Sequence, residues 1–400
     1  MVYYTVKQPP TYHQMTLDEF LFEENPRSYL INDNETNTRT YKIDYVSPRY
    51  LELTDIGYLM GKLKIFNEQT EYLREKPRKE LYYEFYIPKK SGGLRKIDAP
   101  CDELKGALRA LKDIFENDFK VLYHTTAFAY IRNRCTIDAI KRHQANESNW
   151  FAKFDLSNFF GSTTLDFVMK MFSMIFPFSE IVRSRAGKEE LRKALELAFL
   201  DGGLPQGTPI SPFITNTMMI PIDHTLSNGL RDFNHQRFVY TRYADDFIIS
   251  SRYTFGFRKV EKYIVDTLKS FDAPFTINSK KTRYGSRAGS NWNLGIVLNK
   301  DNQITVSQKK KKRFEAMLSS YVMDKQNGVR WDLHDIQVME GLKNYYRMVE
   351  GETIDKIVEH LSKKFNFDIL GSIKEDLRST ERYLTKTAFC KGVQDERQQK

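Results

Sequence analysis

Two aspartates stand side by side at 245 and 246, inside the otherwise apolar run RFVYTRYADDFIIS at 237–250. Adjacent carboxylates repel, and seating them among Phe238, Val239, Phe247, Ile248 and Ile249 is costly without a compensating cation. A third acid, Asp155 in FAKFDLSNFFGS, also closes an alternating run and also lies among apolar residues. Three carboxylates at strand ends suit two hard, oxygen-seeking cations, Mg²⁺ or Mn²⁺, about 3.5–4 Å apart. One ion would lower the pKa of an attacking hydroxyl and the other would take up charge on leaving phosphate oxygens, so the expected chemistry is phosphoryl transfer. Taken alone, an Asp-Asp pair more often caps a helix or ends a surface strand.

The elements around these acids must bring them together. Successive strand residues point to opposite faces, so Asp245 and Asp246 reach one centre only at a turn, and RFVYTRY and FIIS supply the two flanking strands. Residues 1–80 carry helical patterns in TLDEFLFEEN and LTDIGYLMGKLKIFNEQTEYLREK, with Ile56, Leu59, Leu63 and Phe66 at near-helical spacing. Strand signals begin at YYEFYIP, followed by a glycine turn in KKSGGLRKIDAP and a helix in CDELKGALRALKDIFENDF whose first turn is acidic. A helical tract over 164–200 leads to the loop GGLPQGTPISP and a further helix. Beyond the two Asp, FGFRKVEKYIVDTLKSF reads as a helix, NWNLGIVLNKDNQITVS as a hairpin turning at NKDN, and the remainder as helical. Lys309, Lys310, Lys311, Lys312 and Arg313 form the densest positive cluster, with two readings open: a solvated helix start, or a grip on phosphates.

The chain of 400 residues has length for two or three domains, and its 40% apolar and 28% charged residues mark a soluble globular protein. Lys and Arg exceed Asp and Glu by 62 to 52, a net charge of +10 that favours polyanionic partners, nucleic acid ahead of membrane. No stretch approaches the roughly 20 apolar residues of a spanning helix, and the start lacks a secretory plan, so a cytoplasmic protein is expected. Cys101, Cys135 and Cys390 are widely spaced and show neither a disulfide framework nor a zinc pattern. His143 reads as an ordinary polar residue of a helix end.

Six segments in order resemble the reverse transcriptases, over about residues 80–350. YADD at 243–246 resembles their catalytic turn, FDLSNFF at 154–160 the first-Asp strand, and GLPQGTPISP at 203–212 the loop that positions template and incoming nucleotide. IPKKSGGLRKI at 87–97 is similar to their fingers hairpin, INSKKTR at 277–283 to the segment behind the catalytic turn, and NLGIVLN at 293–299 to the primer-grip hairpin. The resemblance implies an α+β right-hand polymerase: an N-terminal helical extension over 1–80, fingers and palm with an antiparallel sheet over 81–306, and a helical thumb over 307–400. It implies catalysis by Asp155, Asp245 and Asp246 with two Mg²⁺ ions, Mn²⁺ serving as an alternative, and Lys281 as proton donor to departing pyrophosphate, with Lys280 beside it as a competitor for that role. Lys89 and Arg95 would clamp the triphosphate, Arg offering a planar fork that matches phosphate oxygens. Gln206 would hydrogen-bond nucleotide or template from a loop stiffened by Pro205 and Pro209. Phe160 would exclude a ribose 2′-OH, and Tyr243 would line the primer end.

Little chain follows the thumb-like segment, so no ribonuclease H, endonuclease or integrase domain is expected. The placement that follows is a bacterial stand-alone enzyme of the retron or phage-defence kind, related to group II intron enzymes, although the Val-Thr-Gly signature of retron enzymes is replaced by LGIVLN. It would copy a noncoding RNA template into cDNA from a DNA primer and dNTPs, with a homo-oligomer or companion effector protein as further partners. Two alternatives stand beside it: template-independent or protein-primed DNA synthesis, and a noncatalytic RNA-binding scaffold.

Overall fold

The computed structural model describes residues 54–88, 92–231, 233, 236–288, 292 and 295–378, with the backbone of 27–32 and 39–44. Strands β1 (Arg27–Asn32) and β2 (Arg39–Asp44) pair antiparallel, Arg27 opposite Asp44. The helical extension expected over 1–80 thus also contains a ribbon: RSYLIN and RTYKID place β-branched and aromatic residues at period two, which suits a pleated pair. TLDEFLFEEN lies outside the described residues. Helix α1 (Ile56–Gln69) is capped by Asp55, which accepts the Tyr58 N–H at 3.0 Å, and buries Leu59, Leu63 and Phe66. Thr70 ends it, so the tract read as one helix is two, the second a short turn over Glu71–Glu75.

Strands β3 (Tyr82–Pro88) and β4 (Leu94–Pro100) form an antiparallel hairpin with Tyr82 opposite Pro100 and Pro88 opposite Leu94. Its turn contains Gly92 and Gly93 at φ +86° and +78°, a conformation that glycine adopts without steric strain. Helix α2 (Asp102–Asp113) carries Asp102 and Glu103 at its positive end and buries Leu104, Leu108 and Leu111. After α3 (Thr136–Ala145) comes β5 (Trp150–Asp155), then α4 (Leu165–Phe172) and α5 (Arg185–Glu196). The helical tract expected over 164–200 is thus built of separate helices, with Pro177 between these two. Helices α6 (Ser211–Met218) and α7 (Ile220–Arg231) precede β6 (Phe238–Tyr243) and β7 (Asp246–Ser251). Next are α8 (Phe257–Ser270), β8 (Arg283–Ser286), the antiparallel pair β9 (Ile296–Leu298) and β10 (Ile304–Val306), α9 (Gln308–Gln326) and α10 (Leu333–Phe365).

Strands β6, β7, β5 and β8 lie in that order in a four-stranded sheet. By compactness the chain divides into one unit of residues 1–135, 152–249 and 255–283, and another of 136–151, 250–254 and 284–400. The hairpin at 296–306, read with the palm from sequence, therefore groups with the C-terminal helices. The first unit has an aromatic centre: Phe115 stacks on Phe213 at 5.3 Å and meets Phe119 and Phe178 edge-on at 5.1 and 5.3 Å. The second is built on Phe314, Leu318, Tyr321, Ile336, Met339 and Tyr346 of α9 and α10. Helix α10 is kinked at Glu350, whose carboxylate accepts hydrogen bonds from the Val306 amide at 3.0 Å, Thr305 at 2.7 Å and Lys311 at 2.7 Å. Among the described residues no helix is long and apolar enough to cross a membrane.

Candidate active site

Strand β5 ends at Asp155, and the two strands β6 and β7 are joined across Ala244 and Asp245. Ala244 has φ +56°, which folds the chain tightly enough for Asp245 and Asp246 to leave the turn beside β5. The Leu156 N–H donates to the Asp245 carbonyl at 3.0 Å, locking the turn against the end of β5. A third segment closes the arrangement: the Asn278 N–H donates to the Asp155 carbonyl at 2.8 Å and the Ser157 N–H to the Thr276 carbonyl at 2.8 Å. That docking carries Lys281 onto Asp155, Nζ to Oδ2 at 2.9 Å. Of the two adjacent lysines, Lys281 makes this contact, whereas Lys280 donates only its backbone N–H to the Asn278 side chain.

The electrostatics follow from burial. Asp155 is 5% exposed, and its Oδ1 is a buried oxygen without a hydrogen-bond partner. Burial, with the charge of Asp246 and then that of Asp155, pushes Asp245 up to about 6. Asp246 is also raised by burial, but Lys153 on the neighbouring strand pairs with it and offsets much of the effect. The cations that compensate the acids here are thus Lys153 and Lys281. Among the described residues no three His, Cys, Asp or Glu side chains converge as a ready-made metal-binding group. The residues nonetheless fit divalent ions chemically: an unpartnered carboxylate oxygen and a desolvated, unpaired acid are the hard oxygen donors that Mg²⁺ and Mn²⁺ take.

The loop after α5 is built into the same region through backbone. The Leu204 N–H donates to the Phe160 carbonyl at 3.0 Å, and the Asp98 N–H of β4 donates to the Gln206 carbonyl at 3.0 Å. Gly203 lies so close that an added Cβ would stand 2.2 Å from the Gly161 oxygen, and one on Gly207 would meet Ile97 at 2.9 Å. Phe160, Gln206 and Arg95 are therefore carried by segments that touch one another. Phe160 is half-buried and edge-on to the buried Phe159 at 5.7 Å, Gln206 is half-buried, and Arg95 is exposed. Tyr243 is half-buried at the end of β6. Lys89 lies outside the described residues.

The positive run at the start of α9 needs one correction. Lys309, Lys312 and Arg313 are exposed and Lys310 half-buried, whereas Lys311 is 7% exposed and paired with Glu350, so it is not part of a phosphate-facing surface.

Several residues were not singled out from sequence. Lys153 stands two positions before Asp155, and that period-two spacing along a strand is the signal that would have found it. Arg242 and Asp223 are charged residues in apolar runs, and a buried charge demands a partner. Tyr130, 60% exposed at φ +59°, lies near Asp245, Tyr243 and Arg95; burial of its hydroxyl and the Asp245 charge raise its pKa while Arg95 opposes them. No local pattern in AFAYIRN points to it.

A family described as "Reverse transcriptase (RNA-dependent DNA polymerase)" matches residues 87–320, more than half of the chain. The chain belongs to the reverse transcriptase family. It is 26% identical over 313 residues to the retron Ec83 reverse transcriptase of Escherichia coli, covering 75% of this chain and 92% of the relative. The retron Ec73 reverse transcriptase of the same organism is 29% identical over 243 residues, 58% of this chain and 73% of that one. The retron Mx65 reverse transcriptase of Myxococcus xanthus is 24% identical over 318 residues, 76% and 68% of the two chains. Among solved structures, apo telomerase from Candida tropicalis aligns at a TM-score of 0.42 and 13% identity, over 74% of this chain and 61% of that one, too loose a likeness to add to the assignment. This reverse transcriptase is thus of retron-like type, an RNA-directed DNA polymerase of α+β fold, from a family that depends in general on divalent metal.

Proposed function

We propose that this enzyme copies a structured noncoding RNA into cDNA by two-metal nucleotidyl transfer, and that the product serves antiphage defence. The observation that carries the catalytic part is the meeting of buried Asp155 with half-buried Asp245 and Asp246 at abutting strand ends, in which Asp155 Oδ1 has no partner. These three would hold Mg²⁺ or Mn²⁺, whose chemistry when bound is to activate the primer 3′-hydroxyl and to neutralise charge on the leaving phosphates.

The chain's own residues then bind and orient. Arg95, exposed on β4, offers its fork to the triphosphate, and Lys89 is proposed for the same role from the sequence resemblance alone. Gln206, on the loop tied to Asp98, hydrogen-bonds nucleotide or template. Phe160 fills the space a 2′-hydroxyl would need, Tyr243 supports the primer end, and Lys281, already held at the acidic group, donates a proton to pyrophosphate. Lys309, Lys310, Lys312 and Arg313 take backbone phosphates of the template–primer duplex. The partners are an RNA template, a DNA primer or cDNA product, and dNTPs, in the cytoplasm.

Purified protein given a primer annealed to an RNA template, Mg²⁺ and dNTPs should extend the primer, and the Asp245→Ala, Asp246→Ala double variant should not; extension surviving in that variant removes the catalytic reading. Sequencing of nucleic acid copurified from cells should return one dominant RNA with covalent or hybridised cDNA, and a random RNA population counts against a dedicated template. Plaque counts should rise when the double variant replaces the parent in phage-challenged cells, and equal counts would sink the defence role alone.

A further inference from the structure

We propose that Arg242 is the positioning residue of the acidic pocket: clamped by Asp223, it fixes the backbone of the Ala244–Asp245 turn and, through Asn216, the segment that carries Tyr130. Arg242 is 1% exposed, and a guanidinium persists in such surroundings only when its N–H groups are matched. Its Nε and Nη2 donate to the two oxygens of Asp223 at 2.8 Å each, and Asp223, itself fully buried on α7, also accepts from the Tyr240 hydroxyl at 2.8 Å. Charge balance is complete without Nη1. That remaining group donates to the Ala244 carbonyl at 3.2 Å and to Asn216 Oδ1 at 3.1 Å. The Asn216 amide passes the connection on, donating to the Ala129 carbonyl at 2.7 Å. The backbone of Arg242 adds two bonds, its N–H to Thr126 at 2.7 Å and its carbonyl from Phe128 at 2.9 Å.

The two places where this network ends are unusual. Ala244 and Tyr130 both have positive φ, +56° and +59°, which L residues adopt rarely and keep only when their surroundings over-determine them. One precedes Asp245 in sequence and the other lies near it in space. A single buried fork therefore holds two strained backbones at the acidic pocket. Lysine would conserve the charge opposite Asp223 but could not reach four acceptors in one plane.

This inference rests on Asp245 being a metal-holding residue. The test uses the full chain free of nucleic acid for Mn²⁺ binding by electron paramagnetic resonance, and the same protein on a primed RNA template for kcat and the dNTP KM, with melting temperature alongside. Arg242→Lys and Asn216→Ala should weaken Mn²⁺ binding and lower kcat by about tenfold each, the scale of loss expected when reacting groups shift by a fraction of an ångström, while the dNTP KM stays near the parent value. A merely structural pair would lower the melting temperature and the active fraction yet leave Mn²⁺ affinity at the parent value, and that result overturns the proposal. Should Arg242→Lys fail to fold, Asn216→Ala decides, because it leaves the Arg242–Asp223 pair intact. Asp245→Asn is the control. If it binds Mn²⁺ like the parent, the underlying reading fails and this one with it; if it loses binding while Asn216→Ala does not, the positioning role alone is wrong.

Discussion

Asp245 is a carboxylate that the fold holds at some cost to itself. It is half-buried, it adjoins Asp246, and among the described residues no lysine or arginine forms an ion pair with it, whereas Asp155 has Lys281 and Asp246 has Lys153. Its pKa, pushed up to about 6, lies above the ordinary aspartate range, so ionisation at neutral pH works against folding and the penalty disappears only at lower pH. Asp245→Asn should therefore raise stability at pH 7 in the presence of a chelator by about 1–3 kcal/mol, measured by urea denaturation, even as it abolishes polymerisation. Adding Mg²⁺ should stabilise the parent and not the variant. At this scale the sequence was readable wherever a charge interrupted an apolar period: the Asp pair, Asp155, and in retrospect Lys153, Arg242 and Asp223. Tyr130 was not, because its relation to Asp245 is made by folding of distant segments.

The loop that carries Gln206 and the turn that carries Phe160 meet backbone to backbone, the Leu204 N–H on the Phe160 carbonyl and Gly203 against Gly161. Gly203→Ala would place a methyl 2.2 Å from the Gly161 oxygen, and since no flexible side chain is there to yield, one backbone must move. The expected cost is about 1–3 kcal/mol of stability from overpacking, with a rise in dNTP KM out of proportion to it, checked by steady-state kinetics beside thermal melts. Helices with a clean apolar stripe, such as α2 and α8, were legible from spacing. Their interruptions were not: Thr70 divides an unbroken periodic pattern, its hydroxyl closing back on the Phe66 carbonyl at 2.8 Å in a bond that apolar spacing does not encode. Strands β1 and β2 were missed for the opposite reason, since short ribbons carry few periods to count.

Across the whole chain, buried histidines make stability depend on pH. Burial lowers His143 to about 3 and His124 and His224 to about 4. Each folded value lies below the unfolded one near 6.5, so the unfolded chain binds more protons and stability, complete above that pH, falls as pH drops from about 6.5 toward 4. The slope should be at most about 1.4 kcal/mol per pH unit for each histidine, seen as a shift in urea midpoint between pH 7.5 and 5.0. His143→Gln should flatten that slope, its present partner being Ser250 Oγ at 2.6 Å. The architecture at this scale came from ordered motifs, not from periodicity. The β9–β10 hairpin falls in one unit with α3 and α10, because packing and not sequence order decides its company.

The pairing of Lys311 with Glu350 changes what the lysine cluster can present. On a helix advancing about 100° per residue, Lys309, Lys312 and Arg313 fall on one side and Lys311 on the other. The cluster is consequently a one-sided comb: three teeth fully open to a polyanion, the half-buried Lys310 at their edge, and Lys311 turned inward as the peg that seats the bent helix on its hairpin. Formal charge along such a stretch overstates its reach, and the tooth that is hidden is the one whose loss the fold would notice first.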